Sequence, residues 1–170
     1  MDLKKYIRSI PDYPKKGILF RDITTLIKDN AAFKESIDQM AKMVEKVTFD
    51  KIGAIESRGF IFASALSYKL SKSLILMRKK DKLPAEKYSV NFELEYGEST
   101  LEMHKDSIKK DEKVIIVDDL IATGGTANTV GELVVQLKGD IVCFAFLINL
   151  VELNGIDMLK PHKVFCVIEY

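Results

Sequence analysis

VIIVDDLIATGGTANT, residues Val114–Thr129, runs from an apolar strand through two adjacent acids into a glycine–threonine turn and on into a helix. Glycines let successive backbone N–H groups converge on phosphate oxygens, and threonine hydroxyls add donors. The N-terminus of the following helix adds positive partial charge. The string is not a Walker loop, since no Gly-Lys-Ser/Thr follows, and it lacks the G-x-G-x-x-G of a dinucleotide site. Asp118 and Asp119 would repel a phosphate. They make sense as acceptors for the hydroxyls of a sugar attached to it, or as stabilisers of positive charge developing on that sugar. The expected ligand is a sugar phosphate, its hydroxyls toward Asp118 and Asp119 and its phosphate toward Ala122, Thr123, Gly124, Gly125 and Thr126. A bare TGGT would be an ordinary capped turn; the whole string carries the reading.

Outward from this turn, strands alternate with helices. Lys51–Ile55, Leu74–Arg78, Lys113–Val117, Ile141–Leu150 and Val164–Ile168 read as strands, several apolar on both faces. Helices are expected over about 60–70 and 126–138, the latter turning Val130, Leu133, Val134 and Leu137 inward. Strand–helix alternation with doubly apolar strands predicts an α/β fold, a parallel sheet flanked by helices. Phe33, Ile37, Met40, Val44 and Val47 fall at helical period, predicting a helix over 31–47 capped by Asp29 or Asn30. Residues 2–10 read as a short helix, and Pro11, Pro14 and Gly17 then impose an irregular stretch. In 88–95 apolar Tyr88, Val90, Phe92 and Leu94 alternate with polar residues; after Gly97, Leu101 and Met103 alternate with Glu102 and His104. This predicts a half-exposed β-hairpin inserted into the α/β order, a candidate lid.

Composition narrows the function classes. The 170 residues carry 26 Lys+Arg against 25 Asp+Glu, a net charge of +1, which gives no general pull toward nucleic acid or membrane. A single domain over 1–170 would bury roughly 70% of the surface of its unfolded chain. The longest apolar run, Ile141–Ile148, is far short of a membrane span, and the N-terminus lacks the apolar core of a signal peptide, so a cytoplasmic protein is expected. Cys143 and Cys166 read as buried structural thiols. Lys109–Lys113 reads as a solvated turn and His104 as structural.

The Val114–Thr129 segment resembles the phosphoribosyl pyrophosphate (PRPP) signature of the type I phosphoribosyltransferases, whose two acids contact the ribose hydroxyls and whose turn holds the 5′-phosphate. Three further segments resemble the adenine phosphoribosyltransferases. In GILFRDIT, Gly17–Thr24, the resemblance implies that backbone groups near Leu19 and Arg21 read the adenine edge. It also implies that Phe20 stacks on the ring and Leu120 covers its other face. ESRGF, Glu56–Phe60, resembles the pyrophosphate loop, with Ser57 and Arg58 gripping the leaving group. The basic run RKKDKLP, Arg78–Pro84, places Lys79 and Lys82 near the pyrophosphate and Arg78 at a position often found at a dimer interface. YSVNFELEYGES, Tyr88–Ser99, resembles the catalytic loop: Glu95 approaches the purine N7 as general acid or base, and Tyr96 helps to close the site. The closing VFCVIEY also fits the family.

The resemblance extends over roughly residues 4–170, with residues 1–30 as a base-binding hood and the hairpin as the catalytic loop. It implies an enzyme, a pentosyltransferase of purine salvage that converts adenine and PRPP into AMP and pyrophosphate. Mg²⁺ is the implied cofactor, bound by PRPP oxygens and water without a dedicated protein cage, and a homodimer is the implied assembly. Two other readings stay open. One is the same reaction on hypoxanthine or xanthine. The other is a non-catalytic PRPP-binding regulator or plain nucleotide-binding module, against which the retained Glu95 and the near-neutral charge argue.

Overall fold

Strand pairing takes over wherever local helical signals are weak. The computed structural model describes residues 1–94 and 97–170, and within it the chain forms two compact units, Met1–Gln39 and Met40–Tyr170.

In the first unit a 3₁₀ turn, Leu3–Tyr6, precedes β1 (Arg8–Pro11), which pairs antiparallel with β2 (Leu19–Asp22). The helix expected over 2–10 therefore does not form. Arg8 faces Asp22 across the ribbon, and its Nε donates to the Asp22 carboxylate at 3.0 Å. This guanidinium holds the Asp22 carboxyl down at about 2. Asp22 also accepts from the Thr24 amide at 2.9 Å, where the short helix α1 (Thr24–Ile27) begins. Helix α2 (Asn30–Met43) starts as expected, with Asp29 Oδ1 accepting the Ala32 amide at 2.9 Å. It stops short of residue 47. The Glu45 and Val47 amides bond the carbonyls of Lys42 and Val44, three residues back, so the last stretch is a series of turns.

The second unit is a seven-stranded sheet in the order β5–β6–β4–β3–β7–β8–β9. Strands β3 (Lys51–Ile55), β4 (Ser73–Lys79), β7 (Lys113–Ile121), β8 (Asp140–Asn149) and β9 (Lys163–Glu169) run parallel. The hairpin β5 (Lys87–Leu94) and β6 (Gly97–His104) joins antiparallel at the β4 edge, Arg78 opposite Glu102 and Lys79 opposite Leu101. Helix α4 (Gly125–Gln136) sends Ala127, Val130, Leu133 and Val134 into a core shared with Val114, Ile116, Met77, Met103, Phe144 and Phe146. Ile115 and Val117 alternate to the opposite face and are equally buried, where α3 (Gly59–Leu70) packs on β3, β4 and β7. The sheet is thus covered on both faces, as the doubly apolar strands require.

Three readings need correction. First, β7 does not end before its acids. The ladder to β8 continues through Asp118 opposite Phe146 and Leu120 opposite Ile148. Second, Glu102 does not face solvent with its polar neighbours. It is buried, paired with Lys87 Nζ at 3.0 Å and accepting from the Asp81 amide at 3.0 Å and the Ser89 hydroxyl at 3.3 Å. Third, Cys166 is half-buried where Cys143 is fully buried; burial pushes both thiols up to about 12. The Lys109–Lys113 turn is mostly exposed, but Glu112 folds back onto Lys51 at 2.9 Å. His104 Nε2 accepts the Ala85 amide at 3.3 Å, a structural bond. Among the described residues no helix is long and apolar enough to cross a membrane.

Candidate active site

The C-terminal ends of parallel strands are where an α/β sheet opens a crevice, and β7 carries its acids there. A cavity of about 230 Å³ lies at this end, lined by Arg58, Asp118, Asp119, Leu120, Ile121, Ala122, Thr123, Gly124, Gly125, Thr126, Ala127 and Phe146. The structure thus gathers Arg58, both acids, Leu120 and the whole predicted phosphate turn around one volume. Gly124 sits at the N-cap of α4 with φ +86°, a left-handed conformation that favours glycine. The amides of the first helical turn have no intrahelical acceptors, which suits them to an anion.

The acids are held tightly. Asp118 Oδ1 accepts the Asp119 amide at 2.8 Å. Gly59, at the start of α3, makes room for it: a Cβ there would stand 2.6 Å from Asp118 Oδ1. Arg58 Nη2 approaches Asp119 Oδ2 at 2.8 Å as a close ion pair. The residue expected to grip pyrophosphate and a residue expected to hold ribose are therefore paired with each other. Burial, and then the charge of Asp119, push the Asp118 carboxyl well above its ordinary range. Burial also raises Asp119, while Arg58 pulls it back.

Raised acids carry a stability cost with a definite sign. A carboxyl whose folded pKa lies above its unfolded value of 3.8 destabilises the fold as pH rises past that value, fully so above the folded pKa. Asp118→Asn keeps the acceptor for the Asp119 amide and removes the charge. Thermal melts of the ligand-free protein should show a higher Tm for Asp118→Asn at pH 7, the gain shrinking as pH falls toward 3.8. PRPP affinity should fall in the same variant. An unchanged Tm at pH 7 would mean that the charge at 118 is not strained.

The other expected residues are placed as follows. Ser57 is exposed in the turn before α3, where its carbonyl accepts the Phe60 amide at 3.2 Å. Lys79 and Lys82 are exposed and are not among the residues lining the cavity. The Lys79 amide donates to Glu56 Oε2 at 2.7 Å, and the Lys82 carbonyl accepts Arg78 Nη1 at 3.4 Å. Arg78 also reaches both Glu56 oxygens at 3.4 Å and lies 5.9 Å from the centre of the Phe60 ring. Glu56 therefore ties the start of the basic run to the Ser57–Arg58 turn. Leu19, Phe20 and Arg21 sit on β2, in the first unit. Leu19 is 47% exposed, and Phe20 meets Tyr13 edge-on with ring centres 5.1 Å apart. Glu95 and Tyr96 lie outside the described residues.

Some site residues escaped the sequence reading. Phe146 enters from β8, where it looks like any core residue of an apolar strand. Gly155 stands directly behind the phosphate turn, and its only signal in the sequence is the Asn154–Gly155 turn pair.

The phosphoribosyl transferase domain family matches residues 24–166. The adenine phosphoribosyltransferase of Pelagibacter ubique is 62% identical over 166 residues, 96% of this chain and 95% of that protein. That of Thermosipho africanus is 53% identical, covering 99% of each. Among solved structures, adenine phosphoribosyltransferase from Thermoanaerobacter pseudethanolicus superposes with a TM-score of 0.97 at 45% identity, over 99% of this chain and 98% of that one. The Saccharomyces cerevisiae enzyme, complexed with an imino-altritol bisphosphate and adenine, gives 0.91 at 36% identity, over 98% and 96%. A cavity of paired acids above a glycine–threonine turn, and relatives alike from end to end, lead to one conclusion: the chain belongs to the phosphoribosyl transferase domain family, among the adenine phosphoribosyltransferases.

Proposed function

We infer that the protein transfers the 5-phosphoribosyl group of PRPP to adenine, forming AMP and pyrophosphate. The observation that carries this reading is the single cavity in which Asp118 and Asp119 stand beside the Ala122–Thr126 turn. The bond formed joins adenine N9 to the ribose C1′; the bond broken joins C1′ to pyrophosphate. Glu95 exchanges a proton with the imidazole ring near N7, which makes N9 the better nucleophile. Asp118 and Asp119 accept from the ribose hydroxyls and offset positive charge developing on the ring. Amides of Ala122–Thr126 hold the 5′-phosphate. Arg58, with Ser57, Lys79, Lys82 and Tyr96, takes the departing pyrophosphate. Leu19, Phe20 and Arg21 receive the base, and Leu120 is assigned to it as well.

Mg²⁺ belongs to this reading as a companion of PRPP. Carboxylates such as Asp118 and Asp119 are donors a hard cation accepts, and the described residues hold no grouping of three or more His, Cys, Asp or Glu around a point. The ion would be held chiefly by PRPP oxygens and water, where it offsets pyrophosphate charge. The family resemblance carries the assignment to a cytoplasmic homodimer; Ile61, Tyr68 and Leu76 are apolar side chains exposed on the larger unit that a second copy would cover, and sedimentation would measure the assembly.

Product analysis tests the reaction. With PRPP and Mg²⁺, adenine should yield AMP and pyrophosphate, and hypoxanthine or xanthine little product. Comparable IMP or XMP formation would shift the substrate. No product with any base, despite PRPP binding, would leave a regulator.

A further inference from the structure

The phosphate turn has a second backbone turn pressed against it from behind. After β8 the chain is tied down twice. The Leu150 amide bonds the Ile121 carbonyl at 3.0 Å, and the Val151 amide bonds the Tyr170 carbonyl at 2.8 Å. Two 3₁₀ turns follow, Val151–Leu153 and Gly155–Leu159, joined at Asn154 with φ +50°. Buried Leu159 anchors the far end. These ties bring Gly155 onto Ala122–Gly124.

The fit leaves no space for a side chain on either side. A Cβ at Gly155 would stand 2.8 Å from the Gly124 nitrogen and 2.9 Å from the Ala122 carbonyl carbon, and would overlap the Ala122 oxygen. In return, a Cβ at Gly124 would overlap the Gly155 oxygen and stand 3.1 Å from its carbon. Nearly all of these atoms are main chain, so no rotamer change relieves the clash. A methyl group at 155 must move one of the two turns. Its own turn is held at both ends, whereas Ala122–Gly124 borders open cavity.

We propose that Gly155 is a positioning residue for the phosphate turn: its bare backbone is the surface against which Ala122–Gly124 take the shape that aims their amides at an anion. The inference rests on the reading that this turn holds the 5′-phosphate of PRPP. Gly155 is absent from the cavity lining and acts only through the turn.

Gly155→Ala tests this beside Asp157→Ala, an exposed position on the same 3₁₀ turn whose carboxylate pairs with Lys160. PRPP binding is measured by calorimetry with Mg²⁺, and initial rates give both Michaelis constants. Loss of one hydrogen bond to a charged phosphate weakens binding roughly tenfold or more. The PRPP Kd and KM should therefore rise about tenfold or more in Gly155→Ala, while the KM for adenine stays within about twofold. Asp157→Ala should match the parent. A folded Gly155→Ala that binds PRPP as the parent does overturns the inference. Failure of the parent itself to bind PRPP brings down the reading of the site, and this inference with it. Should the variant not fold, amide exchange on the parent decides: PRPP should slow exchange over 153–157 together with 122–126, and protection confined to 122–126 overturns the proposal.

Discussion

Glu95→Gln is expected to lower turnover about 10²-fold or more while PRPP still binds. The substitution keeps size and polarity and removes only the ability to exchange a proton. The residue belongs to the connection between β5 and β6, whose register runs from Lys87 opposite His104 to Leu94 opposite Gly97. The hairpin is rooted firmly. Glu102, on β6, gathers Lys87, Ser89 and the Asp81 amide. The substitution changes none of the residues that make these bonds, so the effect should be confined to the chemical step. A positioned carboxylate contributes about 10²–10⁴-fold to proton transfer. Rapid-quench turnover beside PRPP titration separates the two quantities. Near-normal turnover would remove Glu95 from the proton path.

Gly124→Val is expected to weaken PRPP binding by about 10²-fold or more, the cost of losing about two hydrogen bonds to a charged phosphate. Two independent obstacles act. The φ of +86° is closed to a β-branched residue, and the new Cβ would run into the Gly155 carbonyl. The collision is with the neighbouring turn, and Gly155 is not among the residues lining the cavity. Both effects misdirect the same amides. Calorimetry with PRPP gives the affinity, and circular dichroism verifies that the variant is folded. Unchanged affinity would mean that the anion sits elsewhere.

Features set by short-range chemistry were legible in the residues. The glycine–threonine turn, the Asp29 cap, the core strands and the alternating hairpin each announce themselves within a dozen positions. What could not be read depends on partners distant in the chain. Leu3, Ile7 and Ile10 suggest a helix until β2 offers Arg8 and Ser9 a strand to pair with. Asp118 and Asp119 look like a strand end because acids disfavour strands, yet the ladder to β8 carries the strand past them. Glu102 alternates with apolar neighbours as a solvent-facing residue would, and only the folded Asp81 turn and Lys87 make its burial tolerable. Within the site, the acids and Arg58 were found singly; their mutual pairing, and the support from Gly155, exist only in three dimensions.

The Arg58–Asp119 contact sets a condition on any anion that enters this cavity. An anion that lures the guanidinium away strands a carboxylate in a dry setting, a penalty of several kcal/mol unless something donates to it. Orthophosphate and pyrophosphate offer Asp119 mainly further acceptor oxygens. A ligand that joins a phosphoryl group to a polyol would supply the replacement with the same molecule, its hydroxyls donating to the carboxylate that the guanidinium leaves.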